Sequence, residues 1–244
     1  MLRAFARSLG IDLSRANVGF IHMKGVRNFG HFAAEGTLEV LGRRRIKVWF
    51  VVDRDESSDA ELTAMVARLN GLGELFALSR RELENYLLDA QALQRLISEK
   101  SRGFASAPSY SDIDAAIRET AASLKDEVIR LRLERMILRP LFLHTRETGG
   151  AIEDRLRSGM EMMAERMNAV EETRRRVEEE VNAQWPGEAL ALAPGTLVLE
   201  RVLARYGMTY SKGSGDSAKL ATHITTDKIP RDLQQILKRL DPRS

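Results

Sequence analysis

Asp53 and Asp55 stand one residue apart at the end of an apolar run, Ile46-Lys47-Val48-Trp49-Phe50-Val51-Val52. The run is β-branched and aromatic and lacks clean alternation, which predicts a buried strand over 46–52. At the carboxyl end of a strand, residues i and i+2 point to the same side of the pleat, so two carboxylates aim at one point. In open α/β sheets that end of a strand is where ligands bind. Two hard oxygen donors there suit Mg²⁺ or Mn²⁺, and metals so held commonly act on phosphate esters.

Asp-x-Asp after a strand also serves as a turn signal or a helix cap. The acids of Asp53-Arg54-Asp55-Glu56-Ser57-Ser58-Asp59 precede a predicted helix over 60–69, which Ser58 or Asp59 can cap. Asp53 and Asp55 are then left without a required structural task. A second acidic group, in Ser79-Arg80-Arg81-Glu82-Leu83-Glu84-Asn85-Tyr86, directly follows another predicted strand over 74–78. That places it at the same end of the sheet. Glu82 and Glu84 can add carboxylates to a metal, and Arg80 or Arg81 can hold a phosphate through bidentate contacts. The competing reading is the first turn of a helix, where Glu complements the dipole.

The elements that must position these groups alternate along residues 1–100. A short helix ends near Gly10. A strand is expected over 18–23, and Asn28 is a cap for a helix over 29–41. The 46–52 strand, the 60–69 helix and the 74–78 strand follow. Alternating β and α elements with short links imply a parallel sheet with helices on its faces. The remainder reads as helical: 91–99, then 113–136 opened by Ser111-Asp112, a break at Pro140, and a charge-rich helix over 152–181. Met160, Met162, Met163 and Met167 on that last helix suit a core or an interhelical seam. Pro186-Gly187 predicts a break, Pro194-Gly195 opens a helix over 196–206, a Gly/Ser loop covers 211–216, and a final helix covers 230–240. The division expected is an α/β core over 1–100, a helical insertion over 101–185 and a C-terminal helical segment over 186–244.

Composition narrows the classes. The chain has 244 residues, a formal net charge of +3 and no Cys. Disulfides and thiolate metal sites are therefore excluded. Near-balanced charge gives no strong global pull on nucleic acid. Arg43-Arg44-Arg45, Arg80-Arg81 and Arg174-Arg175-Arg176 are local basic clusters of the kind found on solvated surfaces. No apolar run approaches the roughly twenty residues of a membrane span, and the N-terminus is too short in its apolar part for a signal peptide, so a cytoplasmic protein is expected. His22, His31, His144 and His223 do not form a metal-ligand spacing. Ser57 and Ser58 lack a neighbouring His to activate them. A nucleophilic Tyr86 is chemically possible, but packing is its simpler task.

The order Gly25-Val26-Arg27-Asn28-Phe29, then Val51-Val52-Asp53-Arg54-Asp55-Glu56, then Arg81-Glu82-Leu83-Glu84-Asn85-Tyr86-Leu87 resembles the C-terminal Toprim region of OLD-family (overcoming lysogenization defect) ATP-dependent endonucleases. The likeness runs from about Phe20 to Leu88. Ala193-Pro194-Gly195 and Ile229-Pro230-Arg231-Asp232-Leu233 are similar to the family's helical C-terminus. The resemblance implies a Toprim-like parallel sheet with helices on both faces, followed by a mostly helical insertion and C-terminal region. It implies one or two Mg²⁺ or Mn²⁺ ions for phosphodiester cleavage of DNA. Asp53, Asp55, Glu84 and Glu82 would be the ligands, and the setting would be bacterial DNA processing or phage defence.

The chain departs from that family in three places. The strand and Glu-Gly-x-x-Asp that open a Toprim domain are absent before Met1. No Gly-x-x-x-x-Gly-Lys-Ser/Thr loop occurs, so no nucleotide site is expected in this chain, and an ABC-type ATPase would be a separate domain or partner. Thr196 stands where family members often carry a Lys, which leaves Lys212 or Lys219 as substitutes. The expectation is a truncated or partner-completed nuclease, weak alone. The alternatives are a non-catalytic interaction or regulatory relative with a vestigial acidic site, dimerising through its long helices, and primase-like nucleotidyl transfer.

Overall fold

The structure is a computed structural model that describes residues 1–23, 25–55, 57–101, 108–138, 151–212 and 215–241. Trp49–Val52 forms β1 and Glu74–Ala77 forms β2. They pair in parallel, with Trp49 opposite Glu74 and Val52 opposite Ala77. Among the described residues this two-stranded sheet is the whole of the β structure. Helix α4, Asp59–Arg68, connects the strands.

Both faces of the sheet are covered. Phe50 points into a small cluster with Phe29, Ala33, Leu38 and Leu69. Trp49, Val51 and Phe76 pack on the opposite side against the main core. Phe29 and Phe50 meet edge to face, with centroids 4.9 Å apart. Such a ring pair contributes about 0.5–1.5 kcal/mol beyond area burial. The small cluster is built by α2, Phe29–Phe32, and α3, Glu35–Arg43, besides α4.

The main core is helical and draws on both ends of the chain. α1, Leu2–Ser8, buries Phe5. α5, Ala90–Lys100, is capped by Asp89, whose side chain accepts the Ala92 N–H, and buries Leu93, Leu96 and Ile97. α6, Tyr110–Ala122, has a capping box of Ser109 and Asp112. α7, Lys125–Leu138, lies along α9, Val170–Leu192, through Val128, Val177 and Val181. α8, Ile152–Asn168, precedes α9. The last helices, α10 (Gly195–Arg205), α11 (Gly215–His223) and α12 (Arg231–Arg239), return to the first part of the molecule. α10 packs on α6, and α11 packs on α1 and α5.

Several expectations change. Residues 18–23 form no strand: among the described residues no neighbouring strand takes their hydrogen bonds, and Phe20 and Ile21 stay exposed. The 29–41 helix divides at Ala33 and Ala34, and Asn28 donates to the Met23 carbonyl instead of capping. The 113–136 helix divides at Ser123 and Leu124, where Leu124 turns fully into the core. The 152–181 helix divides at Ala169, and α9 runs through Pro186-Gly187 without a break. Residues 215–223, expected partly as loop, form α11. The break at Pro140, His144 and residues 102–107 lie outside the described residues. Among the described residues no helix is long and apolar enough to cross a membrane. The architecture is mixed α/β and mostly helical.

Candidate functional site

β1 ends at Val52, whose carbonyl accepts the Leu78 N–H at 3.0 Å as the last rung beside β2. The chain then leaves the pleat. Asp55 has φ +41°, in the left-handed region, and its N–H donates to the Arg81 carbonyl at 2.8 Å. The two aspartates therefore sit on a turn and do not alternate along a strand, and Asp55 is exposed. Ser58 closes the turn: its hydroxyl accepts the Glu61 N–H at 3.2 Å, while Glu61 accepts the Ser58 N–H at 2.8 Å. This is the capping role expected for Ser58, and it leaves both aspartates free of capping. Ser57 accepts a hydrogen bond from Arg135 of α7 at 3.1 Å.

After β2 the chain makes a 3-10 helix over Leu83–Leu87, not the first turn of an α-helix. Leu83 N–H donates to Asp53 Oδ1 at 2.9 Å, which joins the two acidic loops directly. Glu84 is 1% exposed, and the partner of its buried Oε2 is the Lys212 ammonium. Glu82 is engaged: its Oε2 accepts the Thr196 N–H at 3.0 Å and the Thr196 hydroxyl at 2.7 Å. Thr196 thus holds Glu82 in place.

A lysine ammonium does occupy the middle of the acids. Lys212 Nζ lies 3.2 Å from Glu84 Oε2, 3.7 Å from Asp53 Oδ2 and 4.0 Å from Glu82 Oε2. Its base is anchored by Tyr210, buried, with its hydroxyl 2.7 Å from Ser217 Oγ. Lys219 is exposed on α11, so of the two candidate lysines it is Lys212 that reaches the carboxylates. The α-amino group of Met1 also lies in the field of Glu84.

Electrostatics follow from this crowding. Burial pushes the Asp53 carboxyl up to about 6, and the Asp55 and Glu84 charges add to the rise against the pull of Lys212. Burial also raises Asp55, with Glu82 adding and Arg81 opposing. Burial works against the Lys212 ammonium, but Glu84, Glu82 and Asp53 together outweigh it and hold its pKa above the ordinary lysine value.

The two arginines face inward. Arg81 is buried, its N–H donates to the Ala191 carbonyl at 2.9 Å, and its Nε lies 3.9 Å from Glu82 Oε1. Arg80 stacks on the Tyr86 ring, 5.0 Å from its centroid, and donates to the Asn85 carbonyl at 2.7 Å. Both are placed to brace the acidic loop.

Sequence reasoning passed over Asn85 and Asp232 as working parts of the site. Asn85 is fully buried and donates to the Leu190 and Ala193 carbonyls, each at 2.8 Å. Asp232 of α12 accepts from the Ser79 hydroxyl at 2.6 Å and from the Tyr86 hydroxyl. The signal available was their membership of motif segments, 81–87 and 229–233. The structure brings those segments and 193–195 onto one loop.

Compared with family models, curated proteins and solved structures, the chain matches none. The site is therefore read from its own geometry. Among the described residues no three Asp, Glu or His side chains are gathered tightly enough to coordinate one ion as they stand. The donor set still fits a hard divalent cation in kind. All its donors are carboxylate oxygens, that of Glu84 is buried, and they already surround the Lys212 ammonium.

Proposed function

We propose that this chain is the metal-dependent DNA-cleaving part of an OLD-type Toprim nuclease. The observation that carries the reading is the convergence of Asp53 and Glu84, one from the carboxyl end of each of two adjacent parallel strands, on a single cationic centre. Asp53, Asp55 and Glu84 would hold Mg²⁺ or Mn²⁺, with Glu82 oriented by Thr196 as a further oxygen. The metal would supply a water of lowered pKa and charge neutralisation at the phosphate. The protein's own part is positional. The Leu83 N–H fixes Asp53, Asn85 fixes the loop that carries Glu84, and Lys212 brings a positive charge to the place where a phosphate's charge would have to be met. An ABC-type ATPase, in the same protein or a partner, would complete the activity. A DNA substrate would place the protein in the cytoplasm.

The second reading is a non-catalytic interaction or regulatory protein. It is favoured by Lys212, which sets a positive charge among the acids without any metal.

Supercoiled plasmid with Mn²⁺, and calorimetric Mn²⁺ titration, test the proposal together. The expected result is slow nicking and Mn²⁺ binding, both lost in Asp53→Asn. Absence of Asp53-dependent binding would favour the second reading, while binding without nicking would point to a missing partner. Neither binding nor nicking would overturn the metal site. Incorporation of labelled nucleotide would move the chemistry to primase-like transfer.

A further inference from the structure

The apolar side of α8 has no cover among the described residues. Ile152 is 65% exposed, Met160 72% and Met167 59%, and Leu156 and Met163 are exposed as well. Steps of four, four, three and four residues put all five on one stripe of a helix. They are not the buried seam that the methionines suggested. Among the described residues α8 packs mainly against α9. An isolated helix of 17 residues is marginal in water, so a stable α8 needs something on that stripe.

We propose that the partner is α8 of a second copy, packed antiparallel about a two-fold axis beside Gly159. The stripe maps onto itself under that operation. Ile152 meets Met167 of the other helix, Leu156 meets Met163, and Gly159 meets Met160. An isologous contact requires such self-complementarity. Gly159 stands at the centre of the stripe, where two helices would cross. A glycine inside a helix costs about 1 kcal/mol relative to alanine, and its missing Cβ allows close approach at a crossing.

Charge selects among partners. α8 carries four acids, Glu153, Asp154, Glu161 and Glu165, against three arginines, Arg155, Arg157 and Arg166. That balance gives no attraction to nucleic acid or to an anionic membrane surface, and it permits a second copy. Size is sufficient as well. The stripe exposes on the order of 500 Å² per chain, large for a monomer's surface, and two copies reach the lower end of specific interfaces. The antiparallel arrangement also opposes the two helix dipoles.

The chain has no Cys, so introduced cysteines report the contact cleanly. Light scattering after gel filtration should give twice the 27.5 kDa chain mass at micromolar concentrations. Leu156→Glu with Met163→Glu should raise the dimer dissociation constant at least tenfold. Met160→Cys should form a covalent dimer under mild oxidation, and Asp154→Cys, on the far side of the helix, should not. Since the stripe is exposed, these variants should keep the thermal melt of the main core. A wild-type monomer at about 100 μM, an unchanged dimer in the double variant, or equal crosslinking from Asp154→Cys would each overturn the proposal. A monomer that floats with anionic lipid vesicles would assign the stripe to a membrane surface instead.

Discussion

Lys212 Nζ stands 3.2 Å from Glu84 Oε2, a buried oxygen whose partner is that ammonium. The lysine thereby holds the position that a metal bound to Glu84 and Asp53 would need. Lys212 is about half exposed and sits beside solvent, so it can leave at modest cost. Lys212→Met should then have opposite effects on two measurements. Without metal, the melting temperature should fall, because Glu84 loses its partner inside the protein. In calorimetry, Mn²⁺ should bind roughly tenfold more tightly, the equivalent of about 1.4 kcal/mol of removed competition. Unchanged affinity would mean that the lysine and the metal do not exclude each other.

Asp53 sets a pH dependence. Its folded carboxyl titrates at about 6, above its ordinary value of 3.8. Between those values the folded state binds more protons than the unfolded state, so stability falls as pH rises from about 4 to 6. The penalty is full at neutral pH and absent below pH 4. Asp53→Asn keeps an oxygen for the Leu83 N–H and removes the penalty. It should stabilise the metal-free protein by about 1–2 kcal/mol at pH 7.5, after discounting for solvent. The gain should vanish near pH 3.5. Denaturant midpoints at the two pH values check this, and equal gains at both would sink it.

The parts of this arrangement that sequence could show are the local ones. The apolar run into Asp53 marks β1, and Ser58 with Glu61 spells out a capping box within four residues. Non-local contacts were hidden. Nothing near Asn85 says that its amide will meet carbonyls 105 and 108 residues away. Residues 18–23 have strand-like composition, but strand formation needs a neighbour that sequence cannot supply. Pro186 looked like a stop. Val177, Val181 and Trp185 instead bury one side of α9, and that packing outweighs the roughly 3 kcal/mol proline penalty. The place of Lys212 among the acids was legible only as one of two candidates, because it depends on where α11 packs.

Gly195 and Asn85 form the joint between the acidic loop and α10. A Cβ at residue 195 would lie 2.6 Å from the Asn85 backbone nitrogen, a contact no side-chain rotation relieves. Gly195→Ala should destabilise by about 1–3 kcal/mol and displace Glu82 and Glu84. Asn85→Ala should cost more, about 3 kcal/mol, since two carbonyls lose their donor inside the protein. Thermal melts give the ranking. Mn²⁺ titration of Gly195→Ala at a temperature where it remains folded should show weaker binding. Wild-type affinity in that variant would detach the joint from the site.

Asp232 ties α12 to the same loop through Ser79 and Tyr86. Burial pushes the Tyr86 hydroxyl up to about 12, and Asp232 adds to it as the acceptor of a neutral donor. For Asp232, burial opposes the charge, but the bonds from Ser79 and Tyr86 prevail and hold its carboxyl below the ordinary value. A depressed folded pKa contributes stability above the unfolded value, and that stability is lost as pH falls through the folded value. Asp232→Asn should therefore destabilise by about 1–2 kcal/mol at pH 7, the worth of a hydrogen bond to a charged acceptor. Its deficit should shrink as the pH falls below the ordinary carboxylate value of 3.8. Tyr86→Phe should cost about 1 kcal/mol, and the double variant should fall short of the sum, because both changes remove the same bond. Denaturation of the four proteins at pH 7 closes the cycle. Strict additivity would show that Tyr86 and Asp232 do not share a bond in solution.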